Sequence, residues 1–390
     1  MTLHRNIRLL ALHNFCTDFV LFAPVAIIYF QRITGSYALG MSIFSIAYVS
    51  SAIFELPTGI LSDKIGRKKT VLFGSLFSVL CVVWYAIGIS YGWLVIGALF
   101  QGASRAFFSG NNDALLHDSL TEINESHEYS TYLGKTSMMF QVALAGAALL
   151  GSIVANWSFA LVMWLSVIPQ LIALGIATQL REPANPHTMS TPMFIHLKDA
   201  ARLFVTNPTL GLVNLADVMR LALGESGYFL RSAFIVSLWP IWAIGISSMV
   251  ANIGAAISYY FSGPILKKYK EFPVLTFEII YNRIVNFVAL LFPSVVSPVL
   301  MSTSSWLFGV GSVALNGLMQ KEFTDKQRAT MGSINSLGGN IVFGICSFVL
   351  GMLSDRIGVT YALIVLNIAL LSPLVMYHKL ERLYTHSDTL

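Results

Sequence analysis

The stretch from Gly59 to Lys69 reads Gly-Ile-Leu-Ser-Asp-Lys-Ile-Gly-Arg-Lys-Lys and joins two apolar segments, residues 38–60 and 70–90. It contains one acidic residue, Asp63, and four basic residues: Lys64, Arg67, Lys68 and Lys69. A turn with this much charge cannot lie in hydrocarbon, so it marks a membrane surface. Gly59 and Gly66 permit a sharp reversal and a close approach of helices. Because loops rich in Lys and Arg stay in the cytoplasm, the stretch predicts two membrane helices that meet at the cytoplasmic face.

The composition of the whole chain predicts a membrane protein. Of its 390 residues, 55% are apolar and only 11% are charged, whereas soluble chains carry about 25% charged residues. The net charge of +5 falls in short loops between apolar segments, which is not the footprint of a nucleic-acid-binding protein. The three cysteines lie in apolar segments without metal-ligand spacing, so we expect no disulfide framework, metal site or cofactor.

Windows of about 20 apolar residues predict twelve membrane helices in an all-α fold. The predicted spans are 7–30, 38–60, 70–90, 93–116, 132–155, 157–180, 209–231, 239–262, 273–292, 296–318, 329–353 and 359–379. The longest polar interruption divides these helices six and six. We therefore expect an N-terminal six-helix bundle at 1–180, a cytoplasmic linker at 181–208 and a C-terminal six-helix bundle at 209–390.

The basic residues are distributed unevenly over the two sides that this helix count defines. Eighteen of the 24 Lys and Arg residues fall at the termini or in loops on the same side as the Gly59–Lys69 stretch. Only Arg32, Arg231 and Arg356 fall on the opposite side. This bias predicts a multi-pass protein of the cell membrane with both termini in the cytoplasm.

The pattern Gly-x-x-x-Asp-x-x-Gly-Arg-Lys-Lys between the second and third helices resembles the signature loop of the major facilitator superfamily of transporters. The resemblance implies a secondary transporter with two pseudo-symmetric six-helix bundles that works by alternating access. An offset of 199 residues aligns Tyr29-Phe30 with Tyr228-Phe229 and Asp18 with Asp217. These matches agree with two related bundles.

The resemblance also implies a cytoplasmic gate. In it, Asp63 contacts the N-terminus of the eleventh helix and joins the two bundles, at a position where the helix dipole favours a carboxylate. The family pattern adds an acidic residue at the cytoplasmic end of the fourth helix, which Asp118 fits best and Asp113 second. The predicted gating residues are therefore Gly59, Asp63, Gly66, Arg67, Asp118 and Asp113. The alternative is that these charges only solvate a loop.

The chain departs from two patterns of the family. In the fourth helix Gln101-Gly102 is present, but Ala98 stands where the family often has an arginine linked to proton coupling. Arg105 lies two turns later on the same face, where it either substitutes for that arginine or pairs with Asp113. The fifth helix has the small residues of Gly146–Gly151 without the proline typical of drug–proton antiporters. Both departures weaken the expectation of family-style antiport.

Six carboxylates fall at membrane depth, where a charge costs about 2.5–3.5 kcal/mol; they are Asp18, Glu55, Asp113, Asp217, Glu225 and Glu278. Asp18 is the first choice for a proton-binding site, because no basic residue lies three or four positions away and a desolvated carboxylate takes up a proton readily. Asp217 is the second choice, because Arg220 can pair with it. The remaining proton-coupling candidates are Arg105, Arg220 and Glu225. The alternative for Asp18 is a structural hydrogen bond to a neighbouring helix.

Two further charges, Glu278 and Arg283, share the ninth helix. That helix is peripheral in the fold that the resemblance implies. We therefore expect this pair to serve packing or assembly rather than coupling.

These observations predict a transporter and not an enzyme, since the sequence has no catalytic triad, phosphate loop or nucleotide-binding motif. We predict proton-linked efflux of a small amphipathic compound, such as a drug, a siderophore-like molecule or a metabolite, by a monomer in the lipid bilayer. The first alternative is an importer or facilitator of a polar nutrient. The second is a non-transporting membrane sensor or assembly factor.

Overall fold

The structure, a computed structural model, describes residues 2–183, 207–321 and 328–387. Within these ranges the regular elements are α-helices and short 3-10 turns, which confirms the predicted all-α class. The α-helices are α1 (Thr2–Asp18), α2 (Ala26–Thr34), α3 (Tyr37–Ile65), α4 (Arg67–Ile87), α5 (Tyr91–Phe108), α6 (Asn111–Glu122), α7 (Tyr129–Trp157), α8 (Phe159–Gln179), α9 (Pro208–Ile235), α10 (Ile241–Tyr260), α11 (Ser262–Tyr269), α12 (Glu271–Leu291), α13 (Ser297–Thr303), α14 (Phe308–Lys321), α15 (Arg328–Ile357), α16 (Val359–Ala369) and α17 (Ser372–Ser387).

Ten helical segments of the described chain are long and apolar enough to cross a bilayer. They coincide with ten of the twelve predicted spans, so the protein is a multi-pass membrane protein. The fourth and seventh predicted spans are also helical, but they carry more polar sequence. The fourth is divided between α5 and α6, and the seventh, α9, contains Asp217, Arg220, Glu225 and Arg231.

Some helices that were predicted as continuous are interrupted. The first predicted span, 7–30, consists of α1, a 3-10 turn at Ala23–Val25 and α2. Pro24 lies in the interruption, and proline has no N–H to continue a helical ladder. The fourth is interrupted at Ser109-Gly110, where Gly110 has φ +68°. Hydropathy identifies both spans but does not resolve breaks of a few residues within them.

The described chain divides into two compact units, and two helices belong to both. The first unit contains residues 2–35, 43–183 and Ile241–Met249. The second contains Ser36–Ser42, 207–240, 250–321 and 328–387. Helix α3 thus starts in the second unit and continues in the first, whereas α10 starts in the first and continues in the second.

Each unit has its own apolar core. In the first unit, α1, α4, α6 and α8 contribute buried side chains that include Leu10, Val71, Leu115 and Ala177. In the second, α9, α12, α14 and α17 contribute a set that includes Val213, Leu275, Leu315 and Tyr377. Large apolar side chains are also exposed on the outer surface, among them Trp157, Tyr260 and Val375. In a bilayer such residues face lipid rather than water.

Candidate functional site

The Gly59–Lys69 stretch forms the end of α3, a one-residue reversal and the start of α4. The reversing residue, Gly66, has φ +94° and ψ 161°, a region that is almost restricted to glycine. The carboxylate of Glu182 accepts hydrogen bonds from the backbone N–H groups of Arg67 at 2.6 Å and Lys68 at 2.8 Å. It therefore caps the positive end of α4. A Cβ on Gly66 would lie 2.8 Å from this carboxylate, so the position lacks space for a side chain as well.

Arg67 and Asp118 lie close together behind the turn. Arg67 Nε is 3.9 Å from Asp118 Oδ2, and the Asp118 side chain is buried. Arg67 Nη1 also donates to Ser62 Oγ at 3.0 Å. Ser62 donates to Asn111 Oδ1 at 2.9 Å, and Asn111 Nδ2 donates to the Arg67 carbonyl at 3.1 Å. The turn is thus fastened to α6 by Ser62 and Asn111, which the sequence did not single out.

Asp63 lies in the last turn of α3, but its side chain is outside the described residues. Gly59 lies one turn earlier in the same helix. The expected contact of Asp63 with the N-terminus of the eleventh helix stays a prediction.

Of the two alternatives for Arg105, the pair with Asp113 is not formed among the described residues. The guanidinium of Arg105 lies over the ring of Tyr48, 4.1 Å from its centroid, in a cation–π contact between α5 and α3. Asp113 is exposed in the first turn of α6, where the helix dipole favours an acidic side chain. The two residues lie on different helices, α5 and α6, because the predicted continuous helix is interrupted at Ser109-Gly110.

Asp18 is the last residue of α1, at the break in the first span. Two backbone carbonyls next to it, those of Thr17 and Cys16, accept hydrogen bonds from Gln170 Nε2 at 3.1 and 3.4 Å. Gln170 Oε1 in turn accepts from Ser78 Oγ at 2.7 Å. These bonds satisfy backbone groups that a broken helix leaves unpaired in the membrane. Within the described chain, the half-buried Asp18 carboxylate has neither an ion pair nor a side-chain hydrogen bond.

Helix α7 approaches the non-helical backbone after Asp18 very closely. A Cβ on Gly151 would collide with the Leu21 carbonyl oxygen, and one on Gly146 would lie 3.4 Å from the Phe19 ring. The small residues predicted in the fifth membrane helix therefore make room for the break. Asp18 is consequently held at a bend that is supported from both α7 and α8.

In the second unit, Arg220 has a different partner from the predicted one. Arg220 Nη1 bonds Glu278 Oε1 at 3.0 Å, with both side chains less than a tenth exposed. Arg220 Nη2 donates to Ser312 Oγ at 2.7 Å. Glu278, which we expected from the sequence to serve packing or assembly with Arg283, is buried in this unit and has Arg220 as its ion-pair partner. Arg283 donates to Asn367 at 2.8 Å.

Asp217 is bonded to a polar pair rather than to Arg220. Asn335 Nδ2 donates to Asp217 Oδ2 at 2.8 Å, and Asn214 Nδ2 donates to Asn335 Oδ1 at 2.6 Å. The predicted Asp217–Arg220 pair is therefore corrected, because each finds a partner on another helix. Glu225 is half-buried two turns further along α9.

Sequence reasoning missed Asp355, whose carboxylate binds the start of α3. Asp355 Oδ1 accepts from the Tyr37 N–H at 2.7 Å, and Oδ2 accepts from the Ala38 N–H at 2.9 Å and from Ser36 Oγ at 2.5 Å. A signal for it is present in the sequence: Gly351–Gly358, Gly-Met-Leu-Ser-Asp-Arg-Ile-Gly, matches Gly59–Gly66 at six of eight positions. Asp355 stands where the first copy has Asp63.

Comparison with known proteins places this architecture in a family. The profile of the Major Facilitator Superfamily matches residues 9–345. An uncharacterised transporter of Buchnera aphidicola subsp. Acyrthosiphon pisum is 28% identical over 42% of this chain and 43% of its own length. An uncharacterised MFS-type transporter of Methanocaldococcus jannaschii is 37% identical over 18% of each chain. The chain thus spans less than half the length of these curated relatives.

Solved structures agree over nearly the full chain. A mutant of the nucleoside transporter NupG superposes with a TM-score of 0.83 and 13% identity, covering 97% of this chain and 99% of NupG. A bacterial homologue of the human lysosomal transporter Spinster gives a TM-score of 0.75 with 14% identity, covering 98% and 96%. At this identity the likeness shows the fold alone. The match along residues 9–345 shows the family, and the chain belongs to the major facilitator superfamily of secondary transporters.

Proposed function

We propose that this transporter exports a small amphipathic compound in exchange for protons, with Asp18 as the proton-binding carboxylate. The observation that carries the proposal is the place of Asp18 at the break in the first span. Discontinuous membrane helices often form the substrate and ion sites of secondary transporters. Asp18 combines such a position with a carboxylate that has no ion-pair partner in the described chain.

The local charges support reversible protonation of Asp18. It occupies the C-terminus of α1, where the helix dipole opposes a negative charge. The neighbouring elements contribute uncharged groups: Gln170 from α8, Gly146 and Gly151 from α7, and Ser78 from α4. The nearest basic residue on α1, His13, is buried and bonded to Ser75 Oγ at 2.8 Å. Asp18 therefore differs from Asp217, whose carboxylate is already bonded to Asn335.

The Gly59–Lys69 turn supplies the proposed cytoplasmic gate. Its backbone is held by Glu182, and Arg67 is fixed by Asp118 and Ser62. In the proposed gate Asp63, in the last turn of α3, binds the N-terminus of α15 when the cytoplasmic face closes. A carboxylate at a helix N-terminus contributes about 0.3–2 kcal/mol, which suffices to shift a balanced conformational equilibrium.

Transport by the purified full chain in proteoliposomes tests the proposal. The probe is ethidium, an amphipathic cation whose movement is followed by fluorescence, with and without an imposed pH gradient. We expect accumulation that requires the gradient, and we expect Asp18→Asn to lose the gradient-driven part. Glu128→Gln serves as the matched control, because it neutralises an exposed carboxylate of the same unit outside the candidate spans. Gradient-driven accumulation by Asp18→Asn with unchanged pH dependence would remove Asp18 from the coupling role.

Import of a polar nutrient is the second candidate function. It is favoured by the likeness of the fold to NupG, a nucleoside transporter, over 97% of this chain. The same proteoliposomes distinguish the two candidates when radiolabelled uridine replaces ethidium. Uptake of uridine without ethidium transport would support the importer and overturn the export proposal.

A further inference from the structure

The contact between Asp355 and the start of α3 closes one end of that helix. The backbone N–H groups of Tyr37 and Ala38 donate to the Asp355 carboxylate, while the Leu39 N–H donates to Ser36 Oγ at 3.2 Å. All three N–H groups of the first turn are therefore satisfied. Two of them depend on a residue more than 300 positions away in the chain. The end of α15 thus replaces solvent as the cap of α3.

The packing behind this cap is close along one face of α15. A Cβ on Gly351 would lie 2.6 Å from the Tyr37 carbonyl oxygen and 2.8 Å from the Ala38 Cα. One turn earlier, Ser347 Oγ donates to the Met41 carbonyl at 3.3 Å. Ser347, Gly351 and Asp355 are spaced four residues apart, so they share a helix face. The small side chains let the backbone of α3 approach until the Asp355 carboxylate reaches its N-terminus.

The repeated octapeptide lies at opposite ends of α3. Helix α3 has 29 residues, a length of about 43 Å, enough to cross a bilayer. The first copy, Gly59–Gly66, ends this helix at one face, and Asp355 of the second copy caps its beginning at the other. Both copies have the same local conformation, with φ +94° at Gly66 and +84° at Gly358. Both also bury their serine, Ser62 and Ser354, to 4% exposure.

We propose that Asp355, Ser36 and the first turn of α3 form a releasable latch that closes the membrane face opposite the Gly59–Lys69 turn. The latch is closed in the structure. It opens when this face opens in the transport cycle, and its carboxylate then exchanges the α3 N–H groups for water. The inference rests on the proposed alternating-access function, but its test below requires no substrate.

A buried reporter beside the latch measures its opening. Met41 is 0% exposed, so a cysteine there reacts with a membrane-impermeant maleimide only when the latch opens. The reporter, Met41→Cys, is placed in the full chain with Cys16, Cys81 and Cys346 replaced by alanine, and reconstituted in liposomes. We expect Asp355→Asn to raise the labelling rate about twofold to fivefold, the range that the loss of a negative charge at a helix N-terminus gives. Arg356→Gln, which removes the adjacent exposed charge, should leave the rate unchanged.

A second variant tests the same contact by closing it covalently. In the Ser36→Cys/Asp355→Cys variant, oxidation to a disulfide should protect the Met41→Cys reporter from labelling. Reduction of the same sample by dithiothreitol should restore the labelling rate. Equal labelling rates in Asp355→Asn, Arg356→Gln and the unmodified reporter protein would overturn the latch. So would unhindered labelling of the cross-linked protein. Failure of ethidium transport with normal latch opening would instead contradict the export function alone.

Discussion

Two copies of one octapeptide end α3 and α15, and their surroundings differ. Gly59–Gly66 is followed by Arg67, Lys68 and Lys69, and its turn is fastened within the first unit by Glu182 and Asp118. Gly351–Gly358 is followed by Val359 and Thr360, and its Asp355 reaches across to another helix.

The shared residues account for the shared geometry. The glycine at the end of the octapeptide permits a backbone reversal that is almost restricted to glycine, and the serine bonds within its own unit. The flanking residues differ in charge: three cations follow the first turn, and we expect them to keep it at the cytoplasmic surface, whereas the second turn has only Arg356. The comparison teaches that one short sequence gives the same backbone reversal in two settings, and we propose that the charges that follow it set the membrane face at which it lies.

The largest effect should come from labelling the two turns from the two sides of the membrane. We expect a cysteine at Lys68 to react only with reagent on the cytoplasmic side and one at Ile357 only with reagent outside. The cations that follow the first turn favour the cytoplasmic side. The second turn contacts the opposite end of α3, and a single membrane span separates the two ends of that helix. Whole cells and inverted vesicles treated with an impermeant maleimide make the measurement. Labelling of both positions from one side would break the comparison.

The second largest effect is expected for the transport rate of a variant of the first turn. Asp63→Asn is expected to lower ethidium transport about tenfold while the protein stays folded and inserted, because it removes the carboxylate from the proposed gate at the N-terminus of α15. Lys64→Gln is the control, since it neutralises the neighbouring exposed charge. Full transport by Asp63→Asn, with normal yield and elution on gel filtration, would contradict the gating role.

The two glycines at the backbone reversals, Gly66 and Gly358, should differ in how much their substitution lowers stability. Gly66→Ala should reduce the free energy of unfolding more than Gly358→Ala. Both substitutions introduce backbone strain of about 1–3 kcal/mol, but only a Cβ at Gly66 would collide with a side chain, Glu182, whereas nothing lies within 4 Å at Gly358. Thermal unfolding in detergent measures the difference. A larger loss at Gly358 would show that its surroundings are the tighter ones.

The smallest effect is expected at the cap of α4. Glu182→Gln keeps one acceptor for the N–H groups of Arg67 and Lys68 but removes the charge that favours a helix N-terminus. We expect a loss of about 0.5–1 kcal/mol, within the range of dipole interactions at partly exposed sites. Thermal unfolding with increasing salt checks it, because the wild-type advantage should shrink as salt screens the charge. A salt-independent difference would indicate lost packing instead.

The features readable from the sequence are those carried by local pattern. Hydropathy located the membrane segments, and the charge of Arg67, Lys68 and Lys69 marked the first turn. The family pattern pointed to Asp118, which the structure places 3.9 Å from Arg67. Each of these signals lies within a window of a few residues or a single helix. The position of Asp18 at the end of α1 could not be predicted in this way. Pro24 indicates that the helix is interrupted, but it does not show at which residue α1 ends.

The pairings between helices could not be read in this way. Spacing along α9 favoured Asp217 with Arg220, but Arg220 bonds Glu278, which is 58 residues away. In the core of a unit, several neighbouring helices offer partners to a buried side chain. The i, i+3 rule, which applies to helix surfaces, therefore does not determine which partner it binds. Asp355 was within reach of sequence reasoning, because its octapeptide repeats the first one, but the residues that it binds were not.

The central claim is that the two octapeptide turns close opposite faces and therefore oppose each other. The most direct test is the maleimide labelling rate of the Met41→Cys reporter in Asp63→Asn, Asp355→Asn and the double variant. Loss of the cytoplasmic gate should favour the state with the Asp355 latch closed, so Asp63→Asn should slow labelling while Asp355→Asn speeds it. The double variant should return close to the rate of the unmodified reporter protein. Changes of the same sign in the two single variants, or no change in either, would contradict the account.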